Sequence, residues 1–152
     1  MFSNHNNNYN QILPNLYIGN YHAATYTSNF DVIVNCTRDI PFSNSSKIQY
    51  IRLAINDDPS ETNTLLEKAP GVLEKIRDAL ENRKRVLVHC YAGMQRSCAL
   101  VAMYMMKYYQ VISPRATMKF IKENRPVAFD PIPTFVDALH TFYSNIMIQR
   151  IG

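Results

Sequence analysis

A cysteine and an arginine six positions apart are the residues of this chain best suited to chemistry on an anion. Cys90 and Arg96 bracket the run Tyr91-Ala92-Gly93-Met94-Gln95, and Ser97 follows directly. The segment before them, Val86-Leu87-Val88-His89, is apolar and partly β-branched, and the stretch from Cys98 to Met106 is apolar throughout. That order reads as a buried strand, a tight loop eased by Gly93, and a buried helix. A loop at the amino end of a helix carries unpaired backbone N–H groups and the positive end of the helix dipole, so it suits an anion. The same field favours the thiolate of Cys90 over its thiol and makes it a nucleophile near neutral pH. Arg96 is always charged and presents a planar donor fork that matches two oxygens of a phosphate. Thiolate, guanidinium and cradle together point to attack on phosphorus.

Displacing an alkoxide or phenoxide from phosphorus requires a proton on the leaving oxygen, so a general acid must stand on a second loop. Asn56-Asp57-Asp58-Pro59 supplies two carboxylates. The cysteines (Cys36, Cys90, Cys98) and the four histidines include no C-x-x-C and no His pair at helical spacing, so neither a metal nor another cofactor is expected.

The elements that must hold these residues can be read in order. Residues 1–10 are polar and Asn-rich, and are expected to form a flexible arm that could dock on a second copy as a homodimer. Residues 11–152 form one catalytic domain. Within it, Ile12 to Asn20 reads as a short strand, with Asn20 free to cap a helix over Tyr21 to Thr27. Asp31 to Cys36 is a β-branched run of the kind buried on both faces of a parallel sheet, and belongs beside the Cys90 strand. Tyr50 to Ile55 alternates as a further strand. Thr62 or Asn63 caps a helix whose apolar face runs from Leu65 to Leu80, with a kink expected at Pro70-Gly71. Ser113-Pro114 opens another helix that must end before Pro126, and Phe135 to Ile146 forms an amphipathic last helix. The basic residues Arg115, Lys119 and Lys122 read as a solvated helix face. Strands alternating with helices, and a reactive loop at a strand's carboxyl end, give an α/β fold with a central, mostly parallel sheet flanked by helices.

The loop His89-Cys90, five residues, Arg96-Ser97, with Gly93 inside it, resembles the signature of the cysteine-dependent protein phosphatases at every fixed position. Leu16-Tyr17-Ile18-Gly19 is similar to the Leu-Tyr-Leu-Gly-type run of the dual-specificity phosphatases within that superfamily, and the resemblance spans residues 12–143. It implies hydrolysis of phosphotyrosine and phosphoserine or phosphothreonine in proteins through a phosphocysteine intermediate on Cys90. Tyr91, Ala92, Gly93, Met94, Gln95 and Arg96 would then bind the phosphate. Ser97 would donate to the Cys90 sulfur as it leaves, and His89 would support the loop. Aligning the strand from Tyr50 puts the family's general acid on Asp57, whereas counting back from Cys90 admits Asp58. The chain has no length for the pocket-deepening loop of the large tyrosine-specific enzymes, which leaves both phosphorylated side-chain classes open. Two further readings carry the same loop: an RNA 5′-triphosphatase, and a non-catalytic module that binds a phosphoprotein.

At 152 residues, 47% hydrophobic, the chain can bury one proper core. Its net charge of +4 suits a phosphorylated protein partner and is too diffuse to imply nucleic-acid binding. The apolar stretch after Cys98 is too short to cross a bilayer, so no membrane association is expected. An odd cysteine count without a signal-like segment near the start suits a reducing compartment, cytoplasmic or nuclear.

Overall fold

The computed structural model describes residues 8–109 and 112–151. A five-stranded sheet lies at the centre: β1 (Tyr9–Leu13), β2 (Leu16–Gly19), β3 (Val32–Asn35), β4 (Gln49–Arg52) and β5 (Val86–His89), in spatial order β1-β2-β5-β3-β4. β1 is antiparallel to β2, and the remaining neighbours are parallel. β5 takes the middle because each of its residues is buried. Val86 and Val88 face a core with Leu16, Ile18, Val32 and Val34, while Leu87 joins Phe30, Ile33 and Ile48 on the opposite face. A strand buried on both faces reads as a continuous apolar run, as this one does.

Helices α1 (Thr62–Glu81), α2 (Arg96–Tyr104), α3 (Pro114–Asn124) and α4 (Val136–Ile151) complete the fold. Leu65, Ala69, Val72, Leu73, Ile76 and Ala79 form the buried stripe of α1, which continues across Pro70-Gly71 as one helix. Every residue of α2 after Arg96 is buried, and a π turn over Met105–Tyr109 extends it. Ser113 caps α3, its hydroxyl accepting from the Ala116 N–H at 3.1 Å, with Pro114 at the first helical position.

Several expectations need correction. The expected arm over residues 1–10 is too long: Tyr9 and Asn10 belong to β1, paired with Gly19 and Ile18. Residues 1–7 lie outside the described residues. The single strand from Ile12 is a hairpin, because Asn15 adopts a left-handed φ of 64° that turns the chain after Pro14. The helix expected over Tyr21 to Thr27 shrinks to a 3₁₀ turn at Ala23–Thr25, although Asn20 Oδ1 does accept from the Ala23 N–H. Neither Thr62 nor Asn63 caps α1. The preceding 3₁₀ turn Pro59–Glu61 leads into it, and Asp58 caps that turn.

Parallel register sets the carboxyl ends of the strands in one row: Gly19, His89, Asn35 and Arg52 are successive partners across β2, β5, β3 and β4. Cys90 therefore leaves the sheet from its middle, with the chain after β4 emerging on the same edge.

Candidate active site

Between Cys90 and α2 the backbone curls so that five consecutive carbonyls are tied outward. His89 Nδ1 donates to the Cys90 carbonyl at 3.1 Å. The Tyr21 N–H donates to the Tyr91 carbonyl at 3.0 Å, and the Phe129 N–H to that of Met94 at 2.7 Å. Arg125 bridges the two between, with Nε 2.7 Å from the Gly93 carbonyl and Nη2 3.3 Å from that of Ala92. In a trans peptide the N–H lies opposite the C=O. The N–H groups of residues 91–95 therefore turn to the inner side of the curl. Gly93 permits this at a φ of 71°, and a Cβ there would lie 2.6 Å from both Arg125 Nη2 and the Gly19 backbone. Only glycine fits.

The Cys90 sulfur sits inside that curl, 3.2 Å from the Ser97 hydroxyl. Burial alone would push its thiol up. Hydrogen bonds from the Ser97 hydroxyl and backbone, the Arg96 charge and the Gly93 N–H outweigh burial and hold Cys90 below its ordinary value. At Cys36 and Cys98 burial outweighs every favourable neighbour, and both thiols are pushed well up. Burial holds the His89 pKa below its ordinary value and favours the neutral ring, whose Nδ1 donates to the Cys90 carbonyl.

Arg96 opens α2. Its Nη1 donates to the Ile55 carbonyl at 3.1 Å, and its Nε is buried with no hydrogen-bond partner. An unsatisfied buried donor costs about 1–3 kcal/mol, so its presence calls for an acceptor.

Asp57 reaches this loop from the other side. A cavity of about 390 Å³ is lined by Asp57, Cys90, Arg96 and loop residues Tyr91, Ala92, Met94 and Gln95, and is closed by residues 130–134. Asp58, its neighbour, caps the 3₁₀ turn instead. Its carboxylate accepts from the Ser60 N–H at 2.8 Å, and that backbone bond pulls Asp58 below the usual carboxylate range. Glu61 steadies this loop by accepting from the Asn56 N–H at 3.0 Å and from Arg38 at 2.8 Å.

The structure thus brings Cys90, Arg96, Asp57 and the loop residues to one cavity, with Ser97 behind the sulfur, Gly93 in the curl and His89 beneath it. Residues 91–95 carry no charge, so Arg96 is the cation within the loop sequence that lines the cavity. Sequence reasoning missed Arg125, 1% exposed, which clamps the loop and also donates to Asn10. It also missed the second task of Gln95, whose amide donates to the carbonyls of Asp130 and Ile132 and accepts from the Thr134 N–H. Among the described residues, no group of three His, Cys, Asp or Glu side chains is placed to hold a metal, and no helix is long and apolar enough to cross a membrane.

Ser97→Ala tests the electrostatics of the sulfur. Loss of the hydroxyl donor destabilises the thiolate, so the pH midpoint for Cys90 alkylation by iodoacetamide is expected to move upward, with less thiolate at pH 7. An unchanged midpoint would show that the hydroxyl contributes nothing to the thiolate.

Residues 16–145 match the family model described as dual specificity phosphatase, catalytic domain. A protein of Invertebrate iridescent virus 6 described as a tyrosine phosphatase, 123R, is 37% identical over 134 residues, covering 87% of this chain and 89% of that protein. The tyrosine-protein phosphatase vhp-1 of Caenorhabditis elegans is 31% identical over 91% of this chain, which spans 21% of that longer protein. A mouse dual specificity phosphatase crystallised with zinc tungstate superposes with a TM-score of 0.84 at 26% identity, over 95% of this chain and 92% of that one.

Proposed function

This chain belongs to the dual specificity phosphatase family and is a protein phosphatase, and we propose that Cys90, Arg96, Asp57 and Ser97 carry its reaction in two steps. The observation that carries this assignment is the loop whose carbonyls are all tied outward beside an unsatisfied Arg96 Nε. The inward N–H groups and the guanidinium offer donors to a phosphoryl group's oxygens, at the carboxyl end of the β5 strand where the Cys90 thiolate stands.

In the first step the Cys90 sulfur bonds to phosphorus and the bond from phosphorus to the tyrosine, serine or threonine oxygen breaks. Asp57, protonated, gives its proton to that oxygen. In the second step the Asp57 carboxylate takes a proton from water, the water oxygen bonds to phosphorus, and the sulfur leaves as thiolate, met by the Ser97 hydroxyl. His89 and Arg125 hold the loop in shape without touching the reacting atoms. The substrate is a phosphorylated protein. A nucleophilic thiolate works only while reduced, which favours a reducing compartment such as the cytoplasm or nucleus.

The two aspartates test this assignment. A general acid matters in proportion to how badly the leaving group needs a proton. Asp57→Asn is therefore expected to slow hydrolysis of phosphoserine and phosphotyrosine peptides by about 10²-fold or more, with a far smaller effect on an activated aryl phosphate. Asp58→Asn is expected to lose little, because its carboxylate is engaged with Ser60. An exchange of behaviour between the two variants would move the acid to Asp58. Faster phosphate release from triphosphate-ended RNA than from phosphopeptides would favour the nucleotide-end chemistry instead.

A further inference from the structure

Behind the loop that closes the catalytic cavity lies a second and larger hollow, of about 520 Å³, between α3 and residues 129–133. Asp130 and Pro131 line both, so the two cavities share a single ridge. Met118, Phe129, Pro131 and Pro133 give the hollow an apolar floor, and its charged rim holds three cations, Arg115, Lys119 and Lys122, against two carboxylates, Glu123 and Asp130; Arg115 and Lys119 are exposed one helical turn apart on α3. Lys122, the third cation of that face, is already committed: its ammonium holds Asp130 and donates to the carbonyls of Pro126 and Ala128. Among the described residues Arg115 and Lys119 have no such partners, and Glu123, four residues beyond Lys119, is not ion-paired with it. Like charges at this spacing repel and weaken an isolated helix, so this face gains from an acidic occupant.

We propose that this hollow binds an acidic segment of the phosphoprotein substrate, one carrying an apolar side chain beside its carboxylates. The apolar side chain rests on Met118, Phe129 and the two prolines, and the carboxylates meet Arg115 and Lys119. Continuity across the Asp130-Pro131 ridge makes this segment part of the same chain as the phosphorylated residue, so the hollow selects substrates by their flanks and leaves the chemistry at Cys90 unchanged. The inference rests on the phosphatase assignment above. It extends that assignment to a substrate class: phosphoproteins with acidic and apolar residues next to the phosphorylation site.

The test compares phosphopeptides that share one phosphorylated residue and differ in the flank, acidic-apolar or neutral, placed on either side in separate series. One series is expected to show kcat/KM about tenfold higher for the acidic-apolar flank, expressed in KM, as two exposed ion pairs with a small apolar contact supply. The double variant Arg115→Glu, Lys119→Glu is expected to erase or reverse that preference. Its kcat/KM on para-nitrophenyl phosphate is expected to match the parent, since a small substrate never reaches the hollow. Both replacements are on an exposed face, and a glutamate in the first turn of a helix is favourable, so the fold is retained. Raising the salt to 0.5 M is expected to shrink the preference in the parent. Equal KM for all flanks, or a preference that survives the double variant, would overturn the proposal while leaving the phosphatase assignment intact. Loss of single-stranded RNA binding in the variant with unmoved peptide kinetics would also overturn it, as a nucleic-acid surface. Absence of turnover on every phosphorylated substrate would instead overturn the assignment and this proposal with it.

Discussion

Cys90→Ser is expected to lower kcat on every phosphorylated substrate by at least about 10⁴-fold, the scale seen when a covalent nucleophile is removed, while phosphopeptide affinity stays close to that of the parent. Both halves follow from separate features. The nucleophile is a thiolate made available by the Ser97 hydroxyl, the Arg96 charge and the Gly93 N–H working against burial. A serine hydroxyl ionises far above the working pH, and the same donors cannot bring it within range. The cradle, by contrast, is shaped by ties to His89, Tyr21, Arg125 and Phe129, none of which involves the sulfur. Turnover by phosphate release and affinity by fluorescence anisotropy would separate the two effects. Full turnover in a preparation shown by mass spectrometry to contain no parent enzyme would end the covalent mechanism.

Arg96→Lys is expected to resemble Arg96→Ala, each reducing kcat/KM by about 10³-fold, near the upper end of what one oxyanion donor contributes. The guanidinium does two things at once. Nη1 donates to the Ile55 carbonyl, two residues before Asp57, and Nε remains buried and unsatisfied at the cradle. An ammonium can satisfy the carbonyl or a phosphoryl oxygen, but it lacks the rigid fork that reaches both and gives two parallel bonds to one phosphate. The link to Ile55 also registers the acid's loop against the nucleophile's loop, so the lysine variant is expected to lose relatively more on poor leaving groups than on para-nitrophenyl phosphate. Recovery of activity to within tenfold of the parent in the lysine variant would show that charge alone suffices.

The strand, loop and helix around Cys90 were legible in the sequence because every part of that unit is local. Apolar run, glycine, cysteine and arginine are consecutive, and their periodicity states which element each belongs to. The choice between Asp57 and Asp58 was not legible on the same basis. Adjacent carboxylates differ only in which way the backbone turns them, and that is decided by Asp58 closing a turn onto the Ser60 N–H. Arg125 and the second task of Gln95 left no mark for a related reason: apart from Asn10, their partners are backbone groups, the carbonyls of Ala92, Gly93, Asp130 and Ile132 and the Thr134 N–H, and backbone groups carry no residue-type signal. The overlong arm and the shortened helix after Asn20 have a shared cause. Tyr9, Tyr17, Tyr26 and Phe30 pack into one aromatic cluster on the second face of the sheet, which recruits residues 9–10 into β1 and holds the 20–31 segment with little regular helix.

Four of the five outward ties of the catalytic loop come from distant parts of the chain: Tyr21 just past the first hairpin, and Arg125 and Phe129 after α3. Catalytic competence is therefore a property of the fully folded ensemble rather than of the central strand that bears the nucleophile. Local opening at either flank releases peptide dipoles to rotate while the sheet stays intact, and sub-global openings of this kind lie below the free energy of complete unfolding. Under mild denaturing stress activity is expected to be lost before secondary structure, and variants that loosen the residues after α3 are expected to show weak activity, by phosphate release, before any drop in the circular-dichroism melting midpoint.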